Sequence, residues 1–316
     1  MSEESRAMRA PNALRRPNKF VAYMRKYWFV YVLVLPGLVF MLVFDYGPMY
    51  GILLAFKDYS PRLGVWGSPW AGLSHFREML VDPNFIRAFK NTVLINLYNL
   101  AFGFTFNVFL ALMINELKIK KVKPVVQTCV YLPYFLSYVV VAGLAIQILM
   151  PSNAFMSTVS KLAGHETGNI LLKDKYFWGI VTAVDMWKTW GWGTILYLAA
   201  MSGISPELYE AAKIDGAGKL KQITNVTLPG IRFIIVITLI QRIGGMLGVG
   251  FEKIFVLQNG MNLATSEVLD TLNYKMGIIN WNSSLSTAIS FFSAIISFIL
   301  VFVADRFAKS IGEEGL

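Results

Sequence analysis

The sequence predicts an all-α membrane protein with about six transmembrane helices, and three observations support this fold class. Hydrophobic residues make up 55% of the 316 residues and charged residues only 15%, and the mean hydropathy is +0.53. A soluble domain of this size has no core that could hide so much apolar surface. The apolar residues also fall into runs of roughly 20, the length that crosses a bilayer core of about 30 Å. Lysine and arginine collect between the runs, as in cytoplasmic loops.

Six segments meet the length criterion for a membrane span. They lie at about 28–47, 92–114, 124–149, 177–200, 231–250 and 285–304. Together they define a transmembrane domain at 28–304, between a basic tail at 1–27 and a short tail at 305–316. The first run is longer than the apolar region of a signal peptide, so we interpret it as a retained span that could extend through Gly51–Phe56. Short surface helices are expected at His75–Leu80 and Phe85–Phe89.

The basic residues orient the chain in the membrane. Seven lysines and arginines stand between Arg6 and Lys26, and four lysines stand between Lys118 and Lys123. Both segments are predicted to be cytoplasmic. Counting spans from there places the loop at 202–229 and both termini in the cytoplasm. The single cysteine, Cys129, lies in an apolar run, so neither a disulfide framework nor a cysteine metal site is expected.

The loop at 202–229 carries the signals of a short helix. Ser205 is a favourable N-cap, Pro206 suits the first helical position, and Glu207 faces the positive end of the helix dipole. Gly216 and Gly218 end this helix, and a second one is expected at about 219–227. An ordinary connector between two spans accounts for the loop about equally well on these grounds alone. A connector, however, needs far fewer residues.

Part of this loop also looks like the end of a phosphate-binding loop, at Gly216-Ala217-Gly218-Lys219. That pattern requires glycine at position 213 and serine or threonine at position 220. The chain has Lys213 and Leu220 there. Nucleotide binding by this loop is therefore not expected.

Two sets of motifs resemble a known family. Glu210-Ala211-Ala212-x-x-Asp215-Gly216-Ala217, followed by Val226-x-Leu228-Pro229, resembles the coupling-loop signature of binding-protein-dependent ABC importer permeases. The departure is Val226, where that family more often has isoleucine. The N-terminal half resembles the maltose-type sugar permeases, in the subgroup linked to polysaccharide or lipoprotein receptors. The motifs that carry this second likeness are Gly47-Pro48-Met49-Tyr50-Gly51, Ala55-Phe56-Lys57-Asp58-Tyr59, Trp70-x-Gly72-Leu73-x-x-Phe76 and Asn91-Thr92.

The resemblance implies a type I ABC importer permease, a six-helix bundle in the bacterial plasma membrane. Such a chain forms half of a translocation pathway for oligosaccharides or polysaccharide-derived sugars. Its implied partners are a second homologous permease, two ABC ATPase subunits and an extracytoplasmic substrate-binding protein that can be a lipoprotein. The ATPases bind the ATP, so we expect no cofactor, metal or catalytic residue in this chain. We expect ATPase coupling by Glu207, Glu210, Ala211, Ala212, Asp215 and Gly216.

Charged residues inside spans are costly and therefore candidates for function. Asp185 and Lys188 are three residues apart on one helix face and could neutralise each other. The candidate substrate pathway consists of Trp187, Lys188, Trp190, Gln241 and Arg242. The structural alternatives are a local ion pair, contacts of Arg242 with carbonyl groups, and interface anchoring by tryptophan. Four glycines between Gly244 and Gly250 indicate close helix packing or, alternatively, a locally unwound segment.

Three alternative functions differ in the residues that they require. A permease of the same ABC type for a non-sugar solute has the same loop. A secondary transporter would need coupling ions within its spans and no docking loop, so the loop motif argues against it. A membrane-embedded enzyme would need clustered catalytic groups. The two histidines, His75 and His165, are far apart in sequence and lack an obvious constellation of carboxylates.

Overall fold

The computed structural model describes residues 19–117, 119, 121–162, 169–310 and 312, which contain helices and no strand. Two compact units divide the chain, Met1–Gly51 and Ile52–Leu316. The first unit contains α1 (Lys19–Lys26) and α2 (Trp28–Phe40), and a π-helical turn follows at Met41–Tyr46. None of the apolar side chains of α2 is buried, as a lipid-facing helix requires. The all-α membrane fold is thereby supported from its first helix.

The second unit holds the remaining helices. They are α3 (Gly64–Gly67), α4 (Ser74–Val81), α5 (Pro83–Tyr98), α6 (Thr105–Asn115), α7 (Val122–Tyr131), α8 (Tyr138–Leu149), α9 (Ala154–Leu162), α10 (Asp174–Ser202), α11 (Pro206–Ile214), α12 (Lys219–Gln222), α13 (Leu228–Gly230), α14 (Arg232–Gly244), α15 (Phe251–Leu257), α16 (Leu263–Ser266), α17 (Leu269–Tyr274) and α18 (Ser283–Ser310). Shorter 3₁₀ or π-helical turns lie at Gly47–Phe56, Asn99–Phe104, Leu132–Phe135, Ile170–Leu172, Ile223–Thr227 and Lys275–Ile279.

Among the described residues, three continuous helices are long and apolar enough to cross a membrane. These are Trp28–Phe56, Pro83–Asn115 and Ser283–Ser310. Two more candidate spans are bent pairs, Val122–Phe135 with Tyr138–Leu149 (100°) and Lys219–Gly230 with Arg232–Gly244 (64°). The helix α10 has 29 residues and is about 43 Å long, enough to cross a bilayer despite its internal charges. Each of the six predicted segments therefore falls on a long helix or a bent pair.

Several boundaries differ from the prediction. The first helix continues to Phe56, and the second begins at Pro83, where Asp82 caps it by accepting from the Asn84 N–H at 2.9 Å. Phe85–Phe89 is therefore the start of a 16-residue helix rather than a separate surface helix, and Phe85 is buried. His75, within α4, is also buried. Periodicity alone did not reveal the Asp-Pro helix start at 82–83.

The third and fifth predicted spans are not continuous helices. The third breaks where Leu136 and Ser137 adopt extended backbone and Ser137 caps the new helix α8. The fifth ends at Gly244, so residues 245–250 of the predicted span are not helical. Hydropathy responds to composition and not to backbone direction, which is why it placed both breaks inside spans.

The helix α10 lies at the centre of the second unit and packs against α5, α6, α7, α8 and α14. Two of its glycines allow this close approach. A Cβ at Gly191 would collide with the backbone carbonyl of Val130 on α7, and one at Gly193 would collide with Asn107 on α6. These contacts bring the polar residues of α10 to the breaks in the neighbouring helices.

Candidate functional site

The first candidate site is the coupling loop, residues 202–229. Ser205 caps α11 by accepting from the Glu207 N–H at 3.4 Å, and Pro206 follows at the first helical position. At the other end Gly216 has φ +77°, which L-residues with a side chain rarely adopt. The Gly216 N–H then donates to the Lys213 carbonyl and the Ala217 N–H to the Ala212 carbonyl. These two bonds form a Schellman motif at the end of α11. The predicted helix thus has the predicted start and stop.

The second arm of the coupling loop folds back on the first. The helix α12 continues as a π-helical turn at Ile223–Thr227, as expected for a second helix in this region. Tyr209 and Thr227 join the arms through their hydroxyls at 3.0 Å, and Gln222 donates to the Ala217 carbonyl at 2.8 Å. Gln222 and Thr227 are buried. The loop is therefore a folded helical hairpin and not an extended connector.

The outer surface of the coupling loop is free of intramolecular packing. No residue of α11 is buried, and Glu207, Glu210, Ala211, Asp215 and Gly216 are all exposed, with Ala212 partly so. Three apolar side chains stand out beside them: Leu208, Ile214 and Leu220 are 55%, 87% and 79% exposed. Exposed apolar side chains among charged ones on a protruding hairpin are typical of a surface that binds another protein.

The second candidate site surrounds a buried ion pair on α10. Asp185 Oδ1 lies 3.1 Å from Lys253 Nζ, and each side chain is only 9% exposed. The Tyr138 hydroxyl donates to the same oxygen at 2.6 Å. A carboxylate with two such partners is held firmly, because desolvation strengthens charge-assisted hydrogen bonds. The ion pair joins α8, α10 and α15.

Lys188 does not pair with Asp185, so the predicted local ion pair is wrong. Its ammonium group donates to the carbonyls of Tyr134 and Leu136, each at 2.6 Å, and lies over the rings of Tyr134 and Tyr138. The break between α7 and α8 frees these carbonyls from helical hydrogen bonds. Lys188 therefore supplies hydrogen bonds to carbonyls that the break leaves without helical partners, and Asp185 pairs with Lys253 instead.

Gln241 and Arg242 line two cavities beside this cluster. The first, of about 280 Å³, is the membrane cavity, and it is also lined by Asp185, Tyr138 and Lys253. The second, of about 440 Å³, extends along α10 past Trp192 to Tyr197. Gln241 and Arg242 are exposed to this space. Among the residues that the structure describes, no ion pair or hydrogen bond engages the Arg242 guanidinium.

The two predicted tryptophans lie elsewhere. Trp187 lines an apolar groove between α8 and α10, and Trp190 stacks on Phe106 with ring centroids 5.4 Å apart. Neither lines the cavities of Gln241 and Arg242. Trp192, two residues after Trp190, lines the second cavity and stacks on Tyr134 with ring centroids 4.4 Å apart. The polar residues that the prediction missed are Asn96, Asn99, Tyr138, Thr189 and Lys253.

The glycines at the end of α14 serve two purposes. A Cβ at Gly244 would collide with Val301 on α18, so Gly244 permits close helix packing. The following segment, 245–250, is unwound and closes with Gly250 at φ +96°. Asp270 Oδ2 holds it by accepting from the N–H groups of Val249 and Gly250 at 3.0 and 2.9 Å. Both predictions for the glycines therefore apply: close helix packing at Gly244 and an unwound segment at 245–250.

A helical membrane bundle with polar cavities and a protruding, folded loop suits a permease component of a transporter. The chain belongs to the family of binding-protein-dependent transport system inner membrane components, whose model matches residues 103–313. This places it in the bacterial inner membrane and confirms the type I ABC importer permease fold. The match includes the coupling loop and the part of the membrane cavity's lining from Tyr138 to Lys253.

Known relatives agree over nearly the whole chain. The polygalacturonan/rhamnogalacturonan transport system permease protein YteP of Bacillus subtilis is 41% identical over 91% of this chain and 90% of its own length. Protein LplB of the same organism is 37% identical over 94% of this chain and 93% of its own length. A subunit of a bacterial alginate ABC transporter, solved in complex with an alginate pentasaccharide-bound periplasmic protein, superposes with a TM-score of 0.86 at 35% identity. That match covers 95% of this chain and all of the other.

Proposed function

We propose that this chain is one of two permease subunits of an ABC importer for polysaccharide-derived oligosaccharides, and that sugars bearing carboxylates are among them. The membrane cavity carries the proposal. Of its three charged side chains, Asp185 and Lys253 neutralise each other, whereas Arg242 has no such partner among the described residues. A guanidinium facing a cavity suits bidentate binding of a carboxylate. The named relatives for polygalacturonan and alginate carry polymers rich in such groups.

The likeness to the alginate transporter supports the proposed partners. A periplasmic protein bound to its oligosaccharide accompanies the alginate transporter. We propose that a similar binding protein, which could be a lipoprotein, delivers the sugar to this chain and a second, homologous permease. Two ATPase subunits would bind the coupling loop, with Leu208, Ile214 and Leu220 entering a groove and the carboxylates at its rim. ATP-driven closure of the ATPases would then move α11 and switch access to the pathway.

Transport by the reconstituted complex tests the substrate. Proteoliposomes that hold both permeases, the ATPases and the binding protein should accumulate uronate oligosaccharides upon ATP addition. Arg242→Gln should reduce this uptake by about tenfold, the effect of losing one charge-assisted hydrogen-bond pair. Arg77→Gln removes the same charge from an exposed position of α4 and should leave the uptake unchanged. Equal uptake by wild type and Arg242→Gln would remove Arg242 from the pathway.

A second candidate solute is an organic phosphate. The sn-glycerol-3-phosphate permease protein UgpA of Pectobacterium atrosepticum is 27% identical over 68% of this chain. Arg242 would also bind a phosphate group. Uptake of sn-glycerol 3-phosphate without uptake of any oligosaccharide would favour this alternative over the sugar.

Association with the ATPase tests the coupling loop. Gly216→Ala forces a side chain onto φ +77° and should distort the end of α11, so that the ATPase subunits no longer co-purify. Gly218→Ala is the matched control, because Gly218 has φ −67° and open space around it. If both variants retain ATPases and ATP-driven uptake, this loop is not the docking site.

A further inference from the structure

A third cavity lies at the end of the bundle opposite the coupling loop. The helix α14 leaves the loop at Arg232 and ends at Gly244, and α18 begins at Ser283, 18 residues before Val301, the residue that packs against Gly244. Beside the start of α18 lies an open cavity of about 480 Å³, which we call the distal cavity. Its volume is within the range of small-molecule sites. Its lining mixes two aromatic rings with hydroxyl, amide and carboxylate groups.

Phe251 and Tyr274 form an aromatic wall of the distal cavity. Their ring centroids are 4.8 Å apart and tilted by 47°. Phe255 packs against both rings, with centroids 4.8 Å from Phe251 and 5.6 Å from Tyr274, and does not line the cavity. The two lining residues are only partly buried. Flat, apolar ring faces of this kind stack against the C–H face of a pyranose.

The polar lining is partly fixed and partly free. Asn273 is held between Ser286, which donates to its Oδ1, and Ser290, which accepts from its Nδ2. Asp270 uses Oδ2 for two backbone N–H groups, and its Oδ1 has no hydrogen bond among the described residues. The Tyr274 hydroxyl is likewise unengaged there. A free acceptor and a free hydroxyl beside an aromatic wall suit the hydroxyl groups of a sugar ring.

We propose that the distal cavity is a sugar subsite, which binds a ring through its hydroxyls ahead of the membrane cavity. This inference rests on the proposed sugar transport. Among the described residues, Asp270 is the only charged one in the lining, so the subsite should favour the uncharged face of a ring over a carboxylate. Asp270 also holds Val249, which lines the membrane cavity. The two cavities thus adjoin the same unwound segment, and one oligosaccharide could pass from one to the other.

Saturation-transfer NMR on the assembled transporter in nanodiscs, without binding protein, tests the subsite. Neutral and uronate tetrasaccharides serve as probes. Irradiation of the aromatic protons should transfer saturation to ring C–H protons. Phe251→Ala and Tyr274→Ala should each weaken sugar binding about fivefold, the effect of one lost aromatic contact. Phe255→Ala, which leaves the lining intact, should have a smaller effect, and Tyr274→Phe should retain the saturation transfer.

Uptake measurements separate failure of this inference from failure of the proposed function. If the assembled Phe251→Ala and Tyr274→Ala transporters take up sugar as the wild type does, with unchanged KM and NMR response, the subsite alone is overturned. Absence of uptake for every sugar in the panel would overturn the proposed function. An increased KM in the two lining variants, with Phe255→Ala close to wild type, supports the subsite.

Discussion

The coupling loop and the membrane cavity are built from opposite kinds of contact. In the loop, Tyr209 meets Thr227 only 18 residues away, and the caps of α11 lie within a few residues. In the cavity, Asp185 meets Tyr138 from 47 residues away and Lys253 from beyond the unwound segment. The surface of the loop is exposed, whereas the ion pair is buried. The loop is thus specified locally, and the cavity depends on the whole bundle.

The largest effect should come from breaking the buried ion pair. Asp185→Leu leaves Lys253 charged, buried and without its carboxylate. Loss of one member of such a pair costs about 3 kcal/mol or more. Thermal unfolding of the detergent-solubilised chain should therefore shift to clearly lower temperature. Asp185→Leu with Lys253→Met should recover most of this loss, since the buried charge is then also removed; a double variant as unstable as the single one would contradict the pairing.

The same contrast explains what the sequence could predict. Ser205, Pro206 and Gly216 act on their own neighbours, so their types and spacing were enough to place both ends of α11. The partner of Asp185 could not be read this way. A spacing of three favoured Lys188, but the break between α7 and α8 supplies carbonyls to Lys188. Lys253 was missed because it lies just beyond the predicted fifth span, 231–250, and so did not count among the charged residues inside spans.

The packing of α10 gives the second-largest effect and a matched control on one helix. Gly191→Ala places a methyl group against the Val130 carbonyl and should cost about 2 kcal/mol. Gly179→Ala meets no atom of another element and should stabilise the helix by about 0.5 kcal/mol. Denaturation of both variants under the same conditions checks this difference. Equal stability would mean that close packing of α7 and α10 does not position the cavity.

The N-cap of the coupling loop should give a smaller and strictly local effect. Ser205→Ala removes the acceptor for the Glu207 N–H and should cost about 1 kcal/mol of helix stability. Hydrogen exchange should therefore accelerate in 206–214 and remain unchanged around Asp185. Ser202→Ala is the control, because Ser202 bonds to the carbonyl of Ala199 in the preceding helix. Faster exchange at Asp185 would show that the loop and cavity are less independent than their contacts indicate.

The smallest effect concerns an ion pair that links the coupling loop to the end of α6. Lys219 Nζ lies 2.6 Å from Glu116 Oε2 at the end of α6, and both side chains are partly exposed. Solvent and salt screen such a pair, so Lys219→Glu should change stability by only about 0.5 kcal/mol. We expect a larger effect on the coupling of ATP hydrolysis to transport than on stability, because the pair links the coupling loop to the second span.

The ratio of sugar transported to ATP hydrolysed measures that coupling. It should fall in Lys219→Glu and in Glu116→Lys, and it should recover in the charge-swapped double variant. Lys221→Glu makes the same charge change on α12 and should leave the ratio near that of wild type. If the double variant is no better than either single one, the pair does not transmit movement, and α11 must act on the bundle through the hydrophobic contacts of Ile204 and Leu228 with the end of α10.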